Sequence, residues 1–295
     1  MSTILITGAT GFVGSMVVNR LLDFHSSFQK IILTRNSGIF PKTIDLTNPK
    51  IQIHDADLTK IWNIGVDVDV VINLAGDGSQ HPYSRDSGEK FLLIGRRLIE
   101  YASKSKSSIF HASSGGVEVP KGDNSHRLSV FSYYRRRVEE EIIEAALKNS
   151  FNAQIGRLYS FVGPYFFQSK PKYMINQLIL EARSGRDLFI KSSLESRRSL
   201  MHERDMADWI LQLSKLDGVN IWNVAGDKSP SLKEIAEEIA SFFSVKVRQT
   251  ESVSSVEDYF PLNIENELNL GLKYKYTWRE GLMETSQMAK GLQVE

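Results

Sequence analysis

Apolar residues recur along this chain with two alternating periods. Short runs rich in Ile, Val and Leu, at Thr3-Ile4-Leu5-Ile6, Lys30–Thr34, Ile51–His54, Val68–Leu74, Ser108–Ala112 and Ala153–Leu158, have the length of strands. Between them, apolar positions spaced three and four apart predict helices over Gly11–Phe24, Ser87–Lys104 and Tyr133–Lys148. Val13, Met16, Val17, Leu21 and Leu22 make the first stripe; Val138, Ile142 and Ala145 or Ala146 share a face of the last. Strand and helix in alternation over two thirds of the chain is the sequence form of an α/β fold, a doubly wound parallel sheet. After Gly163-Pro164 the pattern changes: Tyr165–Gly185 carries aromatic and basic residues around one helix. Asp205–Leu216 and Ile221–Val224 read as a return to the sheet, and Ser231–Phe243 opens with Ser231 as cap and Glu234 three residues on. The expected organisation is a dinucleotide-binding domain over 1–165 with 199–227 returning, and a smaller C-terminal substrate-binding lobe over 166–198 and 228–295.

The loop after the first strand supplies the first chemistry. Thr7-Gly8-Ala9-Thr10-Gly11-Phe12-Val13-Gly14 runs from strand into helix with glycines at fixed spacing. Gly8 permits the tight turn, Gly11 lets a pyrophosphate approach the backbone, and Gly14 lets the helix pack closely on the sheet. The helix N-terminus, with Phe12 and Val13, then presents N–H groups to the anion. About twenty residues beyond, where a carboxylate receives the adenosine ribose of NAD, the chain reads Leu33-Thr34-Arg35-Asn36-Ser37 without an acid. Arg35 there favours NADP over NAD, since a guanidinium clamps a 2′-phosphate; stacking on adenine or exposure to solvent is its plainer role. Asp57-Leu58 is placed to meet the adenine, though Asp57 equally suits a cap, and Leu74-Ala75-Gly76 is small where backbone must pass the cofactor.

Composition narrows the classes. Lys and Arg number 36 against 35 Asp and Glu, a net charge of +1 that implies no nucleic-acid or membrane-surface partner. With no cysteine, disulfides, thiolate catalysis and zinc-thiolate sites are excluded, and a reducing cytoplasm is the expected compartment. No signal peptide or membrane span is expected from the pattern. The histidines, His25, His54, His81, His111, His126 and His202, show no metal-ligand spacing and are expected to be structural or surface residues.

With these elements in order, the chain resembles the extended short-chain dehydrogenase/reductase superfamily, within it the NAD-dependent epimerase/dehydratase family of nucleotide-sugar enzymes, with a Rossmann-type fold. The glycine loop, Asp57-Leu58 and Asn73-Leu74-Ala75-Gly76 resemble its cofactor motifs. His111-Ala112-Ser113-Ser114-Gly115-Gly116-Val117 resembles the fifth-strand serine motif, with Ser114 at the catalytic hydroxyl. Arg157-Leu158-Tyr159-Ser160-Phe161-Val162-Gly163-Pro164 is similar to the sixth-strand segment. Arg198 to Asp205 resembles the motif whose Arg reaches the nucleotide diphosphate. The family's tyrosine and lysine lie four apart on a helix, which puts Tyr133 and Arg137 at the catalytic positions, Glu141 at the acid one turn on, and both side chains at the cofactor. Tyr134 is the poorer candidate because its fourth neighbour is Val138, and Arg135 and Arg136 read as a solvated face.

Arg137 departs from the family's lysine, Leu92 from an Asn on the preceding helix, and Ser160 from an Asn facing the substrate phosphate. Gly115 and Gly116 stand where 4,6-dehydratases carry an acid pair, so the resemblance implies an epimerase or ketoreductase rather than a dehydratase. It also implies a nucleotide-sugar substrate held by Ser160, Asn176 and Arg198, with Tyr173 and Gln177 near by, no metal, and pairing as a homodimer. Reduction of another small carbonyl compound, and a non-catalytic NADP(H)-binding sensor or scaffold, are the competing readings.

Overall fold

The computed structural model of the chain describes residues 2–23, 28–36, 38–76, 84–118, 126–165, 173–250 and 256–291, with side chains outside 126–129. In chain order the elements are β1 (Thr3–Thr7), α1 (Phe12–Asp23), β2 (Lys30–Arg35), β3 (Ile51–Asp55), β4 (Val70–Asn73), α2 (Arg85–Ser105), β5 (Ser108–Ser114) and a 3₁₀ turn over Gly115–Glu118. There follow α3 (His126–Asn149), β6 (Ala153–Leu158), β7 (Ser160–Val162), α4 (Met174–Arg183), β8 (Leu188–Ile190), β9 (Leu200–His202), α5 (Glu203–Leu213) and β10 (Val219–Val224). The last are α6 (Leu232–Phe243), β11 (Val247–Gln249), α7 (Glu265–Asn269) and α8 (Trp278–Gly291).

The α/β expectation holds: a seven-stranded sheet in the order β10-β6-β5-β4-β1-β2-β3, with every neighbouring pair parallel. Strands covered on both faces read as unbroken apolar runs, and Ile4, Leu5, Ile6, Ile31, Leu33, Val71, Ile72, Ile109 and Phe110 are indeed fully buried. On one face Leu5, Val71 and Ile109 pack with Phe91, Ile94 and Leu98 of α2 and Val138, Ile142 and Ala146 of α3. These are the positions at helical spacing in the sequence.

Two compact units emerge. The first comprises residues up to Leu158 with Ala207–Val224, and includes the sheet; Arg20 on α1 grips Asp208 with both prongs, at 2.9 and 2.8 Å. The second comprises Tyr159–Met206 and Ala225 onward. Residues 159–165, 199–206 and 225–227, read from sequence with the sheet, fall in this second unit because β7 pairs with β9 in a two-stranded parallel sheet of its own. β8 pairs with β11, and α4, α6 and α8 pack together. α6 starts in a full capping box: Glu234 N–H donates to Ser231 Oγ at 3.2 Å and Ser231 N–H to Glu234 Oε2 at 2.8 Å. Among the described residues no helix is long and apolar enough to cross a membrane.

Candidate active site

The glycine turn is built as its sequence requires. Gly8 sits at φ +71°, and a β-carbon there would lie 2.6 Å from the Leu74 carbonyl and 2.7 Å from Ala75 N, so the turn passes directly over the residues that follow β4. A β-carbon on Gly14 would run into Gly8 O, so α1 also starts close in. At Gly11, which is exposed, a β-carbon would meet only Gly8 O, at 3.2 Å. The first helical hydrogen bond is Ser15 N–H to Gly11 O, which leaves the amides of Val13 and Gly14 ahead of the ladder, with Phe12 opening the helix. An exposed glycine beside a helix N-terminus fits the approach of a pyrophosphate. Ala75 is buried, Leu74 half-buried and Gly76 exposed.

Asp57 spends Oδ1 on Thr59, accepting from its N–H at 3.0 Å and its hydroxyl at 2.7 Å, so it anchors the turn after β3. Leu58 packs on the core and its carbonyl accepts from Trp62. Arg35 is not a free fork. Its Nε and Nη2 donate to the two oxygens of Asp55 at 2.7 and 3.1 Å. Hydrogen bonding and attraction raise the Arg35 pKa, and the same hydrogen bond holds the Asp55 carboxyl below its usual range.

Around Ser114 the structure corrects the sequence reading of α3. Ser132, Val138, Glu139, Ile142 and Ala146 are buried and so define the inward face of the helix. At 100° per residue, Phe131 and Arg135 lie on this side, while Tyr133 and Arg137, each two residues on, are turned about 200° from them. Tyr133 is accordingly 62% exposed, its ring set edge-on to that of Tyr134, and Tyr134 lies against Gly88 of α2. Arg137 pairs with Glu141 at 3.0 Å and with Glu140 at 3.8 Å, and Glu141 is also forked by Arg96. Neither Tyr133 nor Arg137 hydrogen-bonds Ser114.

Phe131 and that hydroxyl converge on the same glycine: a β-carbon built on Gly116 would lie 3.5 Å from both Phe131 Cε1 and Ser114 Oγ. Ser114 Oγ accepts from Gly116 N–H at 3.2 Å. Arg135 and Arg136 are not a solvated face. The Arg135 guanidinium is held between the rings of Phe91, at 4.2 Å, and Phe131, at 4.1 Å, and Arg136 Nη2 donates to Val117 O. The buried acid is Glu139 rather than Glu141: it pairs with Arg157 at 2.7 Å and accepts from Ser113 Oγ at 2.5 Å.

A polar ladder crosses three neighbouring strands, β1, β4 and β5. Thr7 Oγ1 donates to Asn73 Oδ1 at 2.5 Å, and Asn73 Nδ2 lies 2.9 Å from Nδ1 of His111. With Nδ1 accepting, the His111 proton sits on Nε2. Burial, then the nearby Arg135 charge, push the His111 pKa down to about 3, so the ring is neutral. Sequence reasoning missed the roles of Phe131, Arg135, Glu139 and Asp55; the signal for the first two was the apolar stripe continued backward from Ile142 through Val138 by three and seven residues.

The second unit holds the residues expected at the substrate. Ser160 lies on β7 opposite Leu200, Asn176 is buried on α4, and Tyr173 precedes that helix with Gln177 one turn in. Arg198 donates from Nη1 to Arg197 O and Glu257 O, makes no carboxylate ion pair among the described residues, and burial pulls its pKa down. Leu92 is half-buried against the core of the first unit. His81 and His25 lie outside the described residues, as do the side chain of His126 and the loop around His81. Among the described residues no group of acids and histidines has the makings of a metal site.

The comparisons agree with this architecture. A trifunctional UDP-glucose 4,6-dehydratase/UDP-4-keto-6-deoxy-D-glucose 3,5-epimerase/UDP-4-keto-L-rhamnose-reductase of Arabidopsis thaliana is 21% identical over 96% of this chain and 46% of its own length. This chain thus spans about half the length of the curated relatives it matches. The dTDP-glucose 4,6-dehydratase of Bacillus anthracis, solved with NAD, superposes with a TM-score of 0.78 at 20% identity, over 98% of this chain and 96% of that one. The UDP-N-acetylglucosamine 4-epimerase of Methanobrevibacter ruminantium, solved with UDP-N-acetylmuramic acid, gives 0.79 at 20% identity over 97% of each. The model of the NAD dependent epimerase/dehydratase family matches residues 4–225, and this chain belongs to that family.

Proposed function

We propose that this protein binds a nicotinamide dinucleotide on the Gly8–Gly14 turn and acts on a nucleotide sugar by hydride transfer at a sugar carbon, as an epimerase or ketoreductase. The observation that carries the reading is the turn itself, Gly8 at φ +71° pressed on Leu74-Ala75 with Gly11 exposed, in a chain of this family. When bound, the nicotinamide supplies the acceptor and donor of hydride. The amides at the start of α1 hold the pyrophosphate, and Ser114 offers its hydroxyl to the oxygen of the reacting carbon. In the second unit Arg198, a half-buried cation that makes no carboxylate ion pair among the described residues, suits the diphosphate of the substrate; Asn176 and Ser160 belong to the same proposal. Arg35, the residue that points to the phosphorylated dinucleotide, is tied to Asp55. A homodimer in the cytoplasm completes the reading, and sedimentation of the purified protein tests the pairing.

A second reading is favoured by Phe131. With a phenyl ring sharing the Gly116 contact of Ser114 and Tyr133 largely in solvent, α3 brings no phenol to that hydroxyl among the described residues, which suits binding without turnover. Thermal unfolding with NAD, NADP and a panel of nucleoside diphosphate sugars, paired with nicotinamide absorbance, separates the two. Both readings expect dinucleotide stabilisation, about 2.7 kcal/mol at a hundred times the Kd. Either an absorbance change or conversion of the sugar nucleotide to an epimer seen by chromatography supports the enzyme, since an epimerase returns its hydride and leaves the nicotinamide unchanged overall; stabilisation by dinucleotide and sugar nucleotide with neither supports the binder. No stabilisation by any nucleotide rejects both.

A further inference from the structure

We propose that the cavity between the β10–α6 loop and the segment entering α7 is a docking site for another protein, which inserts a lysine or arginine side chain flanked by apolar residues. The inference goes beyond the nucleotide reading, since none of the residues proposed for dinucleotide or nucleotide sugar lines this cavity. Gly226, Asp227 and Ser229 form one wall and Pro261 to Ile264 the other, around about 220 Å³. Both walls are fastened to the same short stretch, Arg197 to Leu200. Gly226 N–H donates to Ser199 Oγ at 2.8 Å, and a β-carbon at Gly226 would collide with Leu200 O. On the other side Ser199 N–H donates to Tyr259 O and Tyr259 N–H to Arg197 O, each at 2.9 Å, two residues ahead of Pro261. Backbone bonds therefore set the spacing of the walls.

Size and charge select the occupant. Pockets that hold a whole small molecule run from about 300 to 1,000 Å³, so this one suits a single side chain. Asp227 is the charged member of the lining; it is exposed and makes no ion pair among the described residues, and Lys228, next in the chain, does not line the cavity. The field behind Asp227 is negative as well. The Tyr274 hydroxyl donates to Ala225 O, one residue before Gly226, and after burial the charges of Asp227, Glu267 and Asp205 push its pKa up. A cation is attracted here and an anion repelled, and the apolar stem of a lysine or arginine suits Pro261 and Ile264. At the mouth Leu262 is 97% exposed, and Leu268, whose N–H donates to Ile264 O one helical turn back, is exposed too. One exposed leucine needs no explanation, but two beside a cavity that takes a cation give the inserted side chain a flank that excludes water. A free amine fills the cavity and leaves both leucines in solvent, whereas a protein segment covers all three.

The test is an NMR titration of the full chain with three probes: N-acetyl-lysinamide, its neutral analogue N-acetyl-norleucinamide, and a capped tripeptide with lysine between two leucines. Both lysine probes are expected to shift the amides of Gly226, Asp227 and Ile264 saturably, the tripeptide binding about threefold or more tighter because its leucines meet Leu262 and Leu268. Asp227→Asn is expected to weaken both about tenfold, and Leu262→Ser to cancel only the gain of the tripeptide. No shift at these amides up to about 50 mM probe overturns the inference. Equal binding of the norleucine analogue does so as well, as does undiminished binding to Asp227→Asn. A tripeptide no tighter than N-acetyl-lysinamide overturns the protein partner and makes a free amine the occupant. Both variants are expected to unfold at the wild-type denaturant concentration and to keep the wild-type response to dinucleotide, so a lost shift reads as a lost contact and the nucleotide reading stands or falls separately.

Discussion

His111 is a neutral imidazole in a place that tolerates no charge: 1% exposed, fixed by Asn73, and near the Arg135 cation. Its pKa of about 3 in the fold lies below the ordinary value of 6.5, so the unfolded chain binds the extra proton between them. The contribution of His111 to stability is complete above about pH 6.5 and is lost as pH falls toward 3, with a slope of at most about 1.4 kcal/mol per pH unit. Denaturant unfolding of wild type and His111→Gln across this range checks it, and the variant is expected to show the flatter profile. Two neighbouring aromatic residues make an equally direct comparison. Phe131→Tyr sets a phenol beside Ser114 and is expected to raise hydride transfer measured by nicotinamide absorbance, while Tyr133→Phe, altered in solvent, is expected to leave turnover, dinucleotide affinity and stability unchanged within about 0.5 kcal/mol.

At the scale of elements, the rotation of α3 about its own axis decides which side chains reach the site. Val138, Ile142 and Ala146 fix that rotation by burial, and Glu139 locks it through Arg157 and Ser113. Glu139→Ala leaves the Arg157 guanidinium with Glu118 alone and is expected to cost about 3 kcal/mol in denaturant unfolding, as loss of one partner of a buried pair does. Glu141→Ala, on the outer side with Arg96 and Arg137, is expected to cost under about 1 kcal/mol. The stripe of Val138, Ile142 and Ala146 was legible in the sequence, and continued backward it names Arg135 and Phe131. Spacing by four residues, by contrast, fits Tyr133 with Arg137 and Phe131 with Arg135 equally well. A motif's internal spacing does not say which way the helix is turned; burial does.

For the whole molecule, the alternation of apolar runs and helical stripes was enough to determine a parallel α/β sheet. Strands covered on both faces must be apolar throughout, and crossover helices must bury one face. The glycine turn was equally legible, since a strand–glycine–helix junction at Gly8 admits few backbone paths. Local chemistry of this kind is written in consecutive residues. Tertiary structure alone decided the rest: that Asp55 takes the Arg35 fork, that Glu139 and Arg157 meet, that Phe131 and Ser114 converge on Gly116, and that β7 pairs with β9 apart from the large sheet. Each joins residues from separate stretches of chain, and which partner a charged or aromatic side chain finds depends on strand order and helix rotation, neither of which is encoded within either stretch by itself.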